Sequence, residues 1–232
     1  MQANKMAISE NFELIQNNIE KACQRVKRDP RQVQILAVCK DQGPEKIRQV
    51  LDLGIRLLGE NKTQEAELHM QYFIGSKIDW HFIGKLQKNK INKILGMFHF
   101  IESVDGVKSL EHIHKRVDDP IEVFIEVNIA EEKSKSGFTI EGLKKAIPYI
   151  SNLNKVTVSG LMAIPPYFED AEKVRPYFSR LRELQNTING MTIPNLKISH
   201  LSMGMSHDYE MAVEEGATIV RIGTALFGRR KA

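Results

Sequence analysis

Eight short apolar runs, each followed by a helical segment, recur along this chain of 232 residues and constrain its fold more than anything else in it. The first run is "ILAVCK". Ile35 to Cys39 form an unbroken apolar stretch that Lys40 ends, the pattern of a strand buried on both faces, here Gln34 to Cys39. The others are "IRLLGEN", "DWHFIG", "FHFIESV", "IEVFIEVNI", "VTVSGLMAI", "LKISHLSMG" and "TIVRIG". Strict alternation of strand and helix implies parallel strands joined by right-handed crossovers. Eight units in a chain of this length predict a closed (β/α)₈ barrel, for which about 250 residues is typical. An open doubly wound sheet is the alternative. It would more often bring a Gly-rich turn after the first strand, and "CKDQGPE" has no G-x-G-x-x-G.

Helix signals fill the intervals. Phe12, Ile15, Ile19, Cys23 and Val26 are spaced helically over residues 9–27, an extra N-terminal helix with Ser9 placed to cap it. Pro44 opens and Gly54 closes the next helix. "TQEAELHMQYF" and "LQKNKINKIL" follow, and Asp105 is a cap for a helix reaching about Arg116. In "IEGLKKAIPYI", Pro148 kinks or ends the helix. Glu169 to Asn189 is mostly helix, with Pro176 as an interruption. "YEMAVEEG" closes at Gly216, and "TALFGRR" is a short final helix. No linker rich in Pro, Gly or Ser divides the chain, so one domain over 1–232 is expected.

Composition narrows the class. With 42% hydrophobic and 27% charged residues the chain can bury a core. A net charge of +4 favours anionic partners only mildly and does not imply nucleic acid. Cys23 and Cys39 have no metal-ligand spacing. The N-terminus lacks the apolar core of a signal peptide, and no run approaches the roughly 18 residues of a membrane span. A cytoplasmic protein is the expectation.

Barrel sites lie at the C-terminal ends of the strands. Those ends carry Lys40; Glu60 and Asn61; His81 and Gly84; Glu102 and Ser103; Asn128; Met162; Ser202, Gly204 and Ser206; and Arg221, Gly223 and Thr224. "LSMGMS" and "RIGTALFG" put small residues and hydroxyls after strands seven and eight, where barrels often hold a phosphate. Tight turns alone would also account for these glycines, and a solvated rim position for Lys40. A lysine opposite a phosphate cradle points to a Schiff base with a phosphorylated aldehyde or ketone.

Taken together, "LAVCK", "GENKTQEA", "WHFIGKLQKNK", "EVNIAEEKSKSGF", "SGLMAIPP" and "LSMGMSHDYEMAVEEGATIVRIGTALFG" resemble the pyridoxal 5′-phosphate (PLP) homeostasis proteins, relatives of the alanine racemase N-terminal barrel (PLP fold type III). The resemblance spans nearly the whole chain. It implies PLP held as a Schiff base on Lys40, with Arg221 facing the pyridine nitrogen. It further implies Ser202, Gly223 and Thr224 on the phosphate, with Met203, Gly204 and Ser206 nearby, and Asn61, His81 and Met162 lining the pocket. A role in vitamin B6 homeostasis as carrier or buffer, without conventional turnover, goes with it. PLP-dependent apo-enzymes are the partners such a carrier would serve, and the expected state is a monomer or weak dimer. Asp41, Lys62, Lys85 and Lys88 depart from the family pattern and alter the charge of the mouth.

Other features read as structure. Lys85, Lys88, Lys90 and Lys93 crowd one predicted helical stretch without aromatics, a solvated face rather than a nucleic-acid surface. His112 and His114 diverge on a helix, against metal binding. His200 and Cys39 read as packing residues. Ser136–Gly137, in "EEKSKSG", either closes over the site or is plain surface. A PLP-dependent racemase or decarboxylase is the alternative function. It needs a second acid–base group, which barrel racemases of this type take from a further C-terminal domain, and the chain ends at Ala232 with no room for one. A class I aldolase would more usually carry its lysine on a later strand.

Overall fold

The computed structural model describes residues 2–132 and 134–228. Its strands are β1 (Gln34–Val38), β2 (Leu57–Glu60), β3 (Asp79–Phe82), β4 (Phe100–Val104), β5 (Ile121–Val127), β6 (Val156–Ala163), β7 (Leu196–Met205) and β8 (Ile219–Ile222). They pair in parallel in sequence order, and β8 returns to β1, with Leu36 opposite Arg221. The predicted closed barrel is what forms.

The helices are α1 (Gln2–Arg25), α2 (Pro44–Asp52), α3 (Thr63–Tyr72), α4 (Ile91–Leu95), α5 (Val107–His114), α6 (Ile140–Ile150), α7 (Arg175–Asn189), α8 (Tyr209–Glu214) and α9 (Thr224–Phe227). Most of the core lies between this ring and the outer faces of the strands. A smaller cluster of Leu36, Phe124, Met162 and Ile219 fills the barrel itself. Gly160 makes that filling possible, because a β-carbon there would fall 2.6 Å from the Phe124 ring.

Several boundaries differ from the sequence reading. Helix α1 begins at Gln2, so Ser9 is interior and caps nothing; Ile8, ahead of Ser9, is buried and extends the apolar face. Its other end stops at Arg25, leaving Val26 exposed. The helix lies against α8 and α9: Asn18 Nδ2 donates to the Tyr209 hydroxyl at 2.9 Å and Asn11 Nδ2 to the Leu226 carbonyl at 3.0 Å.

The lysine-rich stretch is not one helix. Lys85 is in a loop, Lys88–Lys90 make a single 3₁₀ turn, and only Lys93 lies within α4, where it pairs with Glu67 at 2.6 Å. Burial of Leu86 holds that loop against the barrel. Gly106, not Asp105, caps α5; Asp105 Oδ1 instead accepts from the Ser109 hydroxyl at 2.7 Å. Helix α6 continues two residues past Pro148. Pro176 falls in the first turn of α7, after a 3₁₀ turn at Ala171–Val174. Arg229 and Arg230, read into the last helix, and Lys133 lie outside the described residues.

Candidate functional site

At the C-terminal ends of the strands opens a cavity of about 330 Å³. Lys40, one residue past the Cys39 that follows β1, lines it together with Asn61, Met162, Ser206, Arg221, Gly223 and Thr224. Lys40 and Asn61 from the first strands meet Ser206, Arg221, Gly223 and Thr224 from the last because β8 closes onto β1, and Met162 joins them from β6. Val38, Ile83, Ile164 and Met205 add apolar wall, and His207 adds an imidazole. The sequence reading missed all five. The apolar four look like ordinary strand residues, and His207 sits in a turn with no motif to mark it. Larger depressions, of about 550, 540 and 670 Å³, lie where strands begin, away from this mouth.

The other predicted residues do not line the cavity. Met203 is fully buried, and Gly204, at φ +89, has no room for a side chain, since a β-carbon there would collide with that of Ala212. Ser202 and His81 belong to a polar network beneath the pocket. Arg221 Nη1 donates to the Ser202 hydroxyl at 2.9 Å and to the Ser202 carbonyl at 2.5 Å, while Nη2 donates to the Ala163 carbonyl at 2.9 Å. The Ser202 hydroxyl in turn donates to Glu102 Oε2 at 2.5 Å. Glu102 Oε1 lies 2.6 Å from His81 Nδ1. A guanidinium and a carboxylate are thus bridged through one hydroxyl inside the barrel.

Burial pushes the Glu102 carboxyl up, but the His81 hydrogen bond, the charges of His81 and Arg221, and the Ser202 bond outweigh it and hold it below the usual carboxylate range. Burial likewise pulls the Arg221 guanidinium down, while Glu102, Asp208 and Glu126 push it back. A carboxylate within the apolar run "FHFIESV" was the available sequence signal for Glu102: a buried charge needs a buried partner.

Asn61 Oδ1, on a residue that lines the cavity, and His81 Nε2, in the network beneath it, are buried and have no hydrogen-bond partner among the described residues. Unpaired groups of this kind are rare in folded proteins and commonly mark a place that a bound molecule completes. The loop after β5 folds back on its own strand. Asn128 Nδ2 donates to the Glu132 carbonyl at 2.8 Å, and the Phe138 N–H donates to the Glu126 carbonyl at 2.8 Å. Ser136–Gly137 is held there rather than over the pocket. His200 stacks on Phe124 at 5.5 Å and Cys39 is a buried free thiol, both packing residues as read. Among the described residues no group of three or more His, Cys, Asp or Glu side chains is placed to hold a metal ion, and no helix is long and apolar enough to cross a membrane.

The chain forms a closed parallel barrel with a lysine after its first strand and an arginine on its last, and the sequence model of the alanine racemase N-terminal domain matches its residues 11–231. A curated relative from Aquifex aeolicus (strain VF5), called pyridoxal phosphate homeostasis protein, is 42% identical over 229 residues, covering 97% of this chain and 100% of the relative. A solved structure of PipY from Synechococcus elongatus PCC7942 with PLP bound superposes with a TM-score of 0.79 at 31% identity, covering 91% of this chain and 100% of that one. A protein of unknown function from Bifidobacterium adolescentis superposes at 0.89 and 32% identity, over 97% and 96% of the two chains. Within the alanine racemase N-terminal domain family, the chain belongs to the pyridoxal phosphate homeostasis proteins.

Proposed function

We propose that this chain holds PLP in the mouth of its barrel, anchored on Lys40, and serves vitamin B6 homeostasis as a carrier or buffer that supplies PLP-dependent apo-enzymes. The observation that carries this reading is the convergence of Lys40 and Arg221 on one pocket with an unpartnered Asn61 Oδ1. The residues fit the cofactor. Lys40 offers a primary amine to an aldehyde. Ser206, Thr224 and the Gly223 backbone offer hydroxyls and N–H groups to a phosphate, and the Gly223 cap has no side-chain hydrogen bond of its own. Val38, Ile83 and Met162 give apolar faces for a ring. Arg221 presents a fixed guanidinium that can donate but never accept.

When bound, PLP supplies an electrophilic aldehyde and a conjugated ring that stabilises carbanions. Arg221 would restrain the second capacity, because a guanidinium can only donate and would disfavour protonation of a ring nitrogen that it meets. The resting role is therefore binding and release rather than turnover. Ser202 and Glu102 keep Arg221 oriented, and Lys40 would supply the amine for the covalent contact.

One observation favours the racemase or decarboxylase reading. His207 lines the same pocket as Lys40, and with Nε2 donating to the Phe168 carbonyl at 3.0 Å its neutral form leaves Nδ1 free to take a proton.

Purified protein incubated with PLP should absorb in the visible range. Borohydride reduction and peptide mapping should then place the label on Lys40, and Lys40→Ala should lose it. A label confined to Lys62 or another lysine would overturn the assignment. Transfer to an apo-enzyme in the presence of a trap for free PLP tests the carrier role.

A further inference from the structure

Helix α3 grips the peptide that follows Lys40 at two points. The Asp41 N–H donates to Glu65 Oε2 at 3.0 Å, and the Gln42 carbonyl lies 3.0 Å from His69 Nε2. Glu65 and His69 are four residues apart, on one face of the helix. From the other side Glu60 Oε1, at the end of β2, lies 2.8 Å from His69 Nδ1. Asp41 itself sits at φ +59, a left-handed conformation that a residue with a side chain keeps when its surroundings impose it.

The two contacts of His69 fix a proton count. Both neighbours, a carboxylate oxygen and a peptide carbonyl, are acceptors. The contact with Gln42 needs a proton on Nε2, and the contact with Glu60 needs another between Nδ1 and Oε1. A neutral imidazole beside an ionised carboxylate supplies only one. The pair must hold one more, as imidazolium with carboxylate or as imidazole with carboxylic acid, and in either form its net charge is zero. Burial favours that count: Glu60 is 0% and His69 8% exposed, and Glu60 Oε2 has no partner among the described residues.

The surroundings push the same way. The Cys39 thiol, Asp41 and Glu65 face the pair and bring no positive charge. The nearby cations are turned to other partners, Lys62 to Glu65 at 2.7 Å and Lys46 to the Gln42 side chain at 3.1 Å. The Glu60 hydrogen bond raises His69, and burial raises Glu60.

We infer that Glu60 and His69 form a proton-retaining latch that holds the 40–43 turn and so positions Lys40 toward the pocket. The inference rests on the PLP reading of that pocket, and the latch acts through the backbone without touching a ligand. With both groups raised, the latch is intact below the ordinary histidine range and is lost as pH rises through the folded pair's own value. Loss of the proton removes one of the two hydrogen bonds and releases the turn.

Glu60→Gln separates this from plain structural support. Its amide N–H can donate to Nδ1 while Nε2–H still donates to Gln42, so both contacts are met with no titrating proton. The rate of borohydride-trapped PLP attachment to Lys40 should be followed from pH 6.5 to 9.5 in wild type and Glu60→Gln, so that the titration of Lys40 itself cancels. Relative to the variant, the wild-type rate should fall about tenfold at the alkaline end, the weight of one charge-assisted hydrogen bond. His69→Ala should be slow throughout. Superimposable profiles would overturn the latch.

Amide hydrogen exchange of residues 41–43 over the same range needs no cofactor. Protection that falls with pH in wild type but not in Glu60→Gln supports the latch even if Lys40 takes no PLP, the outcome that would sink the pocket reading instead. Should Glu60→Gln fail to fold, wild-type protection of the turn referenced to barrel-strand amides decides: a constant ratio across pH overturns the latch.

Discussion

A β-carbon on Gly84 would lie 2.7 Å from the carbonyl carbon of Asn61 and press on its oxygen. The turn after β3 is thus packed directly on the backbone that presents Asn61 to the pocket, and the absence of a side chain at 84 is what permits it.

Gly84→Ala should therefore do two things at once. Overpacking of this kind destabilises by about 1–3 kcal/mol, readable as a lower Tm. Displacement of Asn61 should also weaken PLP binding beyond what the stability loss explains. Full PLP affinity in a destabilised but folded Gly84→Ala protein would separate Asn61 from the pocket.

Glu102→Gln tests the buried network. Removing one partner of a buried charge pair costs about 3–5 kcal/mol near neutral pH. Because the folded carboxyl is held below its ordinary value of 4.5, the stability it contributes is complete above that value and lost as pH falls through the lower folded value. The gap in stability between wild type and Glu102→Gln should narrow on acidification from pH 6 to pH 3. A constant gap would mean that the carboxylate's charge is not what stabilises.

Gly223→Asp places a negative charge and bulk at the proposed phosphate cradle. PLP affinity should fall by about 1.5–3 kcal/mol, the worth of a hydrogen bond to a charged group, while pyridoxal, which lacks the phosphate, should change little. Equal losses for the two ligands, measured by equilibrium titration, would put the phosphate elsewhere.

Arg221 and His207 divide the binding and enzymatic readings. Wild-type protein loaded with PLP and offered single L- or D-amino acids should show negligible racemisation and decarboxylation by chiral chromatography. Arg221→Gln, which removes a fixed cation from the pocket wall, should shift the visible spectrum and its pH dependence. Robust wild-type turnover that His207→Ala abolishes would establish the enzymatic reading.

The barrel was legible because short strands rich in buried apolar residues recur between helical segments, and Lys40 was legible as the charge that ends the first. Arg221, Gly223 and Thr224 stood out through the small residues around them. What did not show were pairings between residues far apart in sequence. Ser202 is spaced like a phosphate ligand, yet its hydroxyl joins Arg221 to Glu102, a hundred positions upstream. Nor does any local pattern bring His69, inside a helix, beneath Lys40. Element ends slipped for a related reason: Ser9 and Asp105 have the right chemistry for caps, but the burial of Ile8 and the backbone at Gly106 decide where the helices begin.

The plug of Leu36, Phe124, Met162 and Ile219 turns the barrel into a cul-de-sac. Whatever occupies the mouth must leave by the door through which it came. A second molecule cannot push the first out from behind, nor can an acceptor protein draw it through from below. Exchange is thus confined to one face, and an incoming amine can reach Lys40 only from the side on which the first molecule leaves. Entry, anchoring and departure therefore share a single rim, and a substitution on that rim should alter uptake and release together.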